Sequence, residues 1–175
     1  MTTPAVGENP ASRAELLFED IPMELASTRR MLERYPTGKG SWKPDPKSRS
    51  LAELASHLVN VVSLGASVLE DDELEESTQP APPEQDSAAA FLERFDRSAA
   101  RIAAALQHTD EASLKQPWRL LVHGHVVAQG PRRKMLRMAF VSHLIHHRAQ
   151  LATYYRLLGV PVPGMYGPSA DDREG

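Results

Sequence analysis

Ser142-His143-Leu144-Ile145-His146-His147-Arg148-Ala149-Gln150 lies inside a strongly helical apolar run and carries three of the chain's seven histidines. His143 and His147 are four residues apart, so on a helix both imidazoles rise from one face, one turn above the other. Two imidazoles in that arrangement can share a metal ion, but a catalytic zinc site usually takes three protein ligands and leaves one position open. The rest of the sequence has to supply the third.

Working outward, the spacing predicts a last helix over about 132–158 with the inward stripe Leu136, Phe140, His143, His147, Leu151, Tyr154 and Leu158. His146 falls on a neighbouring stripe with Ala139, Ser142 and Thr153. Gly130-Pro131 begins this helix, since proline is favoured in a first turn, and Gly159 is its expected C-cap. The proline-rich residues 160–167 then fold back over the protein or hang free. Ahead of the helix, Trp118, Leu120, Val122 and Val126-Val127 alternate around His123-Gly124-His125, which predicts a short hairpin over one end of the helices.

Three more helices are predicted upstream. The first, over 13–35, places Leu17, Ile21, Leu25, Leu32 and Tyr35 at threes and fours; Ser12 with Glu15 forms a capping box, and Pro22 kinks or breaks the helix. The second, from Ser48 or Ser50 to about Glu70, turns Leu54, His57, Leu58, Val61, Leu64 and Val68 inward, again with a capping box, Ser50 with Glu53. The third, over 87–107 and capped by Asp86 or Ser87, repeats Phe91, Phe95, Ala99, Ile102 and Leu106. Between the first two, three prolines and two glycines in residues 36–46 dictate a loop, pinned by Trp42. Between the second and third, the six acids in residues 70–76 and the three prolines in 79–86 read as a solvated, mobile connection. The fold expected is all-α: a four-helix bundle with a small β-hairpin before the last helix, spanning 12–170 between a disordered N-terminal tail (1–11) and a C-terminal tail (171–175).

Composition narrows the chemistry. The chain of 175 residues is 41% hydrophobic, enough for one proper core, and its formal charge of −3, from 20 Lys and Arg against 23 Asp and Glu, lacks the basic footprint of a nucleic-acid binder. It has no cysteine, which excludes disulfides, thiolate ligands and a cysteine nucleophile. The N-terminus has neither the basic nor the apolar region of a signal peptide, and no uninterrupted apolar run reaches about 18 residues, so the expectation is a cytoplasmic protein without a membrane partner.

His57 is the natural third ligand, because it shares the apolar face of its helix as His143 and His147 share theirs. Three core histidines satisfied by backbone carbonyls are the plain alternative. Against it, each buried imidazole carries its own desolvation cost, and one cation would satisfy all three. His108 at a helix end stabilises the helix dipole; His123 and His125, two apart on a strand, point to one face but have no evident third partner. The pattern is neither H-E-x-x-H, since Leu144 follows the first histidine, nor a di-iron bundle, which needs Glu-x-x-His pairs. Three neutral nitrogens leave a divalent ion's charge undiminished, so zinc, or nickel, would be a strong Lewis acid here.

Trp42-Lys43-Pro44, Leu51 to His57, Trp118, His143 to Leu151 and the tail from Leu158 to Asp171 together resemble the DinB-like (YfiT-type) family of metal-dependent proteins, over nearly the whole chain. The family name refers to damage-inducible proteins and implies no DNA polymerase. The resemblance implies a four-helix bundle, commonly a homodimer, with His57, His143 and His147 binding zinc or nickel. It also implies relatives that act as S-transferases and isomerases on low-molecular-weight thiols. The function expected is therefore a metal-dependent transferase that activates a small external thiol toward a small-molecule substrate, with Arg132, Arg133 and Arg137 either attracting an anionic thiol or forming a solvated basic face. The alternatives are a hydrolase using metal-bound water and a non-catalytic metal-binding stress-response module.

Overall fold

The computed structural model describes residues 13–76 and 86–173. The expectations for Ser12, for the N-terminal tail and for the prolines of 79–85 lie outside the described residues. The protein is mostly helical with a small three-stranded sheet.

The first helical segment divides where Pro22 requires it. Helix α1 (Arg13–Leu17) ends, the Ile21 N–H donates to the Phe18 carbonyl at 3.0 Å, and α2 (Ile21–Glu33) restarts with Pro22 in its first turn, where a missing N–H leaves no bond unmade. The break also turns the stripe. Phe18, Ile21, Thr28, Met31 and Leu32 are buried, while Leu17, expected inside, is exposed at the end of α1.

Helix α3 (Leu51–Glu70) opens with the expected capping box: the Glu53 N–H donates to Ser50 Oγ at 3.2 Å and the Ser50 N–H to Glu53 Oε2 at 2.6 Å. Two more of its free N–H groups, on Leu51 and Ala52, donate to the carbonyls of Trp42 and Gly40 in the preceding loop. Trp42 pins that loop by an edge-on contact with Tyr154, ring centroids 5.4 Å apart. By length and composition α3 could cross a membrane, but 72% of the relevant window is buried inside the protein, as in the core helix of a soluble fold.

Helix α4 (Ala88–His108) is capped by Ser87, whose Oγ accepts from the Ala90 N–H. Asp86 is engaged elsewhere, accepting from the Tyr35 hydroxyl and the Gly40 N–H. After the short α5 (Glu111–Lys115), two strands form the expected hairpin. They are joined by a turn in which His123 (φ 51°) and Gly124 (φ 74°) are both left-handed, the pattern of a type I′ connection. His123 is thus a turn residue and not a strand neighbour of His125, so the same-face pairing expected of them does not form.

The acidic connection is a correction. Residues Glu73–Glu75 form a strand, β1, parallel to β2 (Pro117–Val122), which in turn pairs antiparallel with β3 (His125–Pro131). Arginines neutralise the run: Arg119 pairs with Glu73, Arg101 with Glu70 and Arg132 with Asp72. The acids stay solvated as expected, Asp71, Asp72, Glu73 and Glu75 all being exposed, but Leu74 packs against the core and the run pairs its backbone as a strand.

The last helix is not uniform. Its first turn, α6 (Arg132–Met135), passes into a π-helical stretch, Leu136–Ser142, before α7 (His143–Leu157). A π turn accommodates an extra residue, and after Phe140 the buried face accordingly shifts toward the next position: Val141, Leu144, Arg148 and Tyr155 are buried beside the expected His147 and Leu151, and Tyr154 is not. Helix α3 packs along α4, α7 and the π stretch, and α2 along α4 and α7, burying one hydrophobic core. The chain past Gly159 (φ 69°) folds back, burying Val162 and tying its loop to Asp171 and Asp172.

Gly65 sits where α3 meets the π stretch, and a Cβ there would stand 2.7 Å from the Phe140 ring. Alanine normally improves a helix interior by about 1 kcal/mol over glycine. Here we expect Gly65→Ala to destabilise the protein by ~1–3 kcal/mol through overpacking, read as a lower urea midpoint at unchanged m-value.

Candidate metal centre

His57 comes from the middle of α3, and His143 and His147 from the first two turns of α7. His147 is buried and the other two are half-buried. Their ligand atoms lie within 4.8 Å of one another. His57 Nε2 is 3.3 Å from His143 Nε2, which is 2.8 Å from His147 Nε2. Tetrahedral ligands ~2.0–2.1 Å from a zinc ion stand ~3.3–3.4 Å apart, so small adjustments would seat a cation among these nitrogens.

The partners of the other ring nitrogens fix how the imidazoles present themselves. His143 Nδ1 lies 3.3 Å from the Ala139 carbonyl, and His147 Nδ1 lies 2.8 Å from Gln150 Oε1. Both partners accept, so both Nδ1 atoms carry the proton and both Nε2 atoms present lone pairs. Gln150 is held in turn by its Nε2, which donates to His146 Nε2 at 3.0 Å. His146 is therefore exposed and off the triad but steadies it through Gln150. Across 2.8 Å the two Nε2 atoms share either a proton or a cation, and with both Nδ1 atoms protonated it is a cation that suits them. The donor set thus fits a divalent ion that accepts neutral imidazoles.

Burial, with Arg49 and the neighbouring rings adding to it, pushes His57 down to about 3 and His147 to about 4, and burial also lowers His143. The triad is neutral at pH 7 and ready to coordinate without losing protons. In the unfolded chain these histidines titrate near 6.5, so as pH falls below that value the unfolded state takes up protons that the folded apo-protein refuses. We expect the chelator-treated protein to lose stability as pH falls from about 6.5 toward 4. The slope of melting temperature against pH should be shallower in the His57→Gln, His147→Gln double variant.

The histidines outside the triad do not join it. His108 ends α4, and His123 and His125 lie exposed at the hairpin turn. Arg132 and Arg137 are also spoken for. Arg132 is buried, donating to the Val68 carbonyl at 2.7 Å and to the Asp71 carbonyl at the end of α3, while Arg137 pairs with Asp20. Only Arg133 of that trio stands exposed.

Sequence reasoning missed a second buried polar group. Arg148, beside His147, is 2% exposed and pairs with Glu24 (3% exposed) of α2 at 2.6 Å; it also donates to the Glu24 carbonyl at 2.9 Å and to the Tyr166 hydroxyl at 2.7 Å. Tyr166, from the folded-back tail, donates in turn to the Glu24 carboxylate. The signal was available: Arg148 sits one helical period from Leu144 and Leu151, and Glu24 one from Ile21 and Thr28, opposite charges on two apolar stripes.

The DinB family model matches residues 11–174. Among solved structures, a DinB-like protein from Bacillus cereus is 25% identical with a TM-score of 0.66, covering 87% of this chain and 97% of its own. A DinB-like protein from Bacillus subtilis is 21% identical with a TM-score of 0.61, covering 83% and 96%. A third, from Exiguobacterium sibiricum, is 21% identical with a TM-score of 0.58, covering 90% and 95%. No curated protein matches the chain. With a family model running through almost its entire length and the same fold in these neighbours, the chain belongs to the DinB family.

Proposed function

We propose that the protein is a four-helix bundle built to hold one divalent ion, zinc or nickel, between His57, His143 and His147, and that it transfers a small external thiol to an electrophilic substrate. The observation that carries the metal reading is the convergence of the three Nε2 atoms, two of them with the opposite ring nitrogen already engaged by an acceptor. An ion so placed would supply Lewis acidity and lower the pKa of a thiol that reaches it. The chain's own part is to keep the three imidazoles neutral and aimed, α3 bringing one and α7 two, with Gln150 and Ala139 fixing their tautomers. Because the sequence has no cysteine, the sulfur comes from outside. In the transfer, the thiolate sulfur forms a bond to the electrophilic carbon, and the leaving group departs with its electron pair.

The test is conjugation of model electrophiles with a panel of low-molecular-weight thiols, using untagged, metal-loaded protein. We expect metal-dependent turnover with at least one thiol, abolished by chelation and restored by zinc or nickel. Turnover of esters or amides without thiol would instead identify a hydrolase. No turnover, together with a large fall in melting temperature on chelation, would mark the ion as structural.

A further inference from the structure

A cleft of about 220 Å3 opens beside the triad, lined by His143 together with Ser63, Leu64, Leu74, Glu75 and Glu76 among others. That volume lies below the roughly 300–1,000 Å3 of drug-sized sites, so its occupant is small. Leu64 is buried and Leu74 packs on the core, giving the cleft an apolar side. Two acids, Glu75 and Glu76, line it as well. Glu75 accepts from the Gly124 N–H at 3.2 Å, whereas Glu76, half-buried, has no ion-pair partner among the described residues. Its position is fixed through the backbone, by the Glu76 N–H donating to the Leu121 carbonyl at 2.8 Å. Glu76 and His143 line the same cleft. No Lys or Arg is among the residues that line the cleft; Arg94 donates to Ser56 and to Asn60 at its edge.

A partly desolvated carboxylate without a cation is a recognition element for one. We infer that this cleft binds the positively charged, amine-type head of the small substrate, with Glu76 as its counter-charge and Leu64 and Leu74 against its apolar body, so that the reactive end reaches the histidine triad. The inference rests on the metal–thiol reading above and adds to it a substrate class, an organic cation.

The experiment uses Co2+-loaded full-length protein and follows the near-ultraviolet thiolate-to-cobalt absorption. The probes are thiocholine and its neutral isostere 3,3-dimethylbutane-1-thiol, which differ only in N+ against C; the quaternary nitrogen cannot itself coordinate metal. The readout is the ratio of their dissociation constants in wild type and in Glu76→Gln, because the change in that ratio is free of the difference in thiol basicity. We expect E76Q to reduce the preference for thiocholine about tenfold while the isostere's affinity stays within twofold. The substitution leaves the strand pairing intact, since the bond to Leu121 is made by the backbone. A ratio that changes by less than twofold overturns the inference and leaves the thiol reading standing. If 3-mercaptopropionate outcompetes both probes in wild type, recognition lies at Arg49 and the inference is again overturned. No absorption change with any thiol sinks both readings together.

Discussion

Replacing His57 with alanine is expected to strip the protein of tightly held divalent metal while leaving it folded. Removing even an outer partner of a metal-bound histidine typically lowers affinity 10–100-fold, so losing one of three nitrogens should cost more than ~100-fold. His57 is the informative choice because it is the one ligand contributed by α3; without it the remaining pair comes from adjacent turns of α7. His143→Ala should behave alike. Gln150→Ala, which frees the His147 Nδ1 proton from its acceptor, should fall in the 10–100-fold range, because it unsettles the ring without removing a donor. The measurement is metal content of untagged protein by mass spectrometry, followed by competition with a chelator of known affinity. A His57→Ala protein as metal-rich as wild type would refute the site.

The second large effect concerns stability. Arg148→Met leaves the Glu24 carboxylate buried against α7 with no cation, and Glu24→Leu leaves the guanidinium in the same position. Breaking a buried pair from one side costs about 3–5 kcal/mol. For a domain of this size that is a fall in melting temperature of about 10 °C. The double variant removes both charges and should recover most of the loss, since two apolar side chains of similar volume often replace a buried pair at little net cost. Tyr166→Phe removes hydrogen bonds alone and is expected to cost about 1 kcal/mol. Calorimetry on the four proteins, all in chelator, separates this pair from any contribution of the neighbouring triad. A wild-type melting temperature in Arg148→Met would show that water reaches Glu24.

What was legible in the sequence depended on short-range chemistry. The Ser50–Glu53 box, the break at Pro22, the hairpin turn at Gly124 and the cap at Gly159 each follow from a few neighbouring residues, and each stands in the structure. The approach of His57 to the other two histidines was legible because it shares a stripe with Leu54, Leu58 and Val61, all buried. Long-range compensation was not legible. The strand at Glu73–Glu75 depends on β2 and on Arg101, Arg119 and Arg132 being brought opposite the acids, and although Arg148 and Glu24 each lie on an apolar stripe, nothing local says that they meet across 124 residues. The stripe of the last helix was misread for a different reason, a local winding that no capping or turn residue announces.

That winding makes the last helix two segments out of phase. Each residue of an α-helix advances about 100° around the axis, so a one-residue slip in the Leu136–Ser142 stretch resets the direction of everything after it. Winding the same seven residues as a regular α-helix, with none removed, would rotate Arg148, Leu151 and Tyr155 away from the positions they now fill, whereas deleting one residue there would let the helix run uniformly and keep them in place. The histidine-bearing segment is therefore not a portable cassette. Grafted onto a regular helix, His143 and His147 would keep their mutual spacing but would no longer point at the histidine supplied by α3.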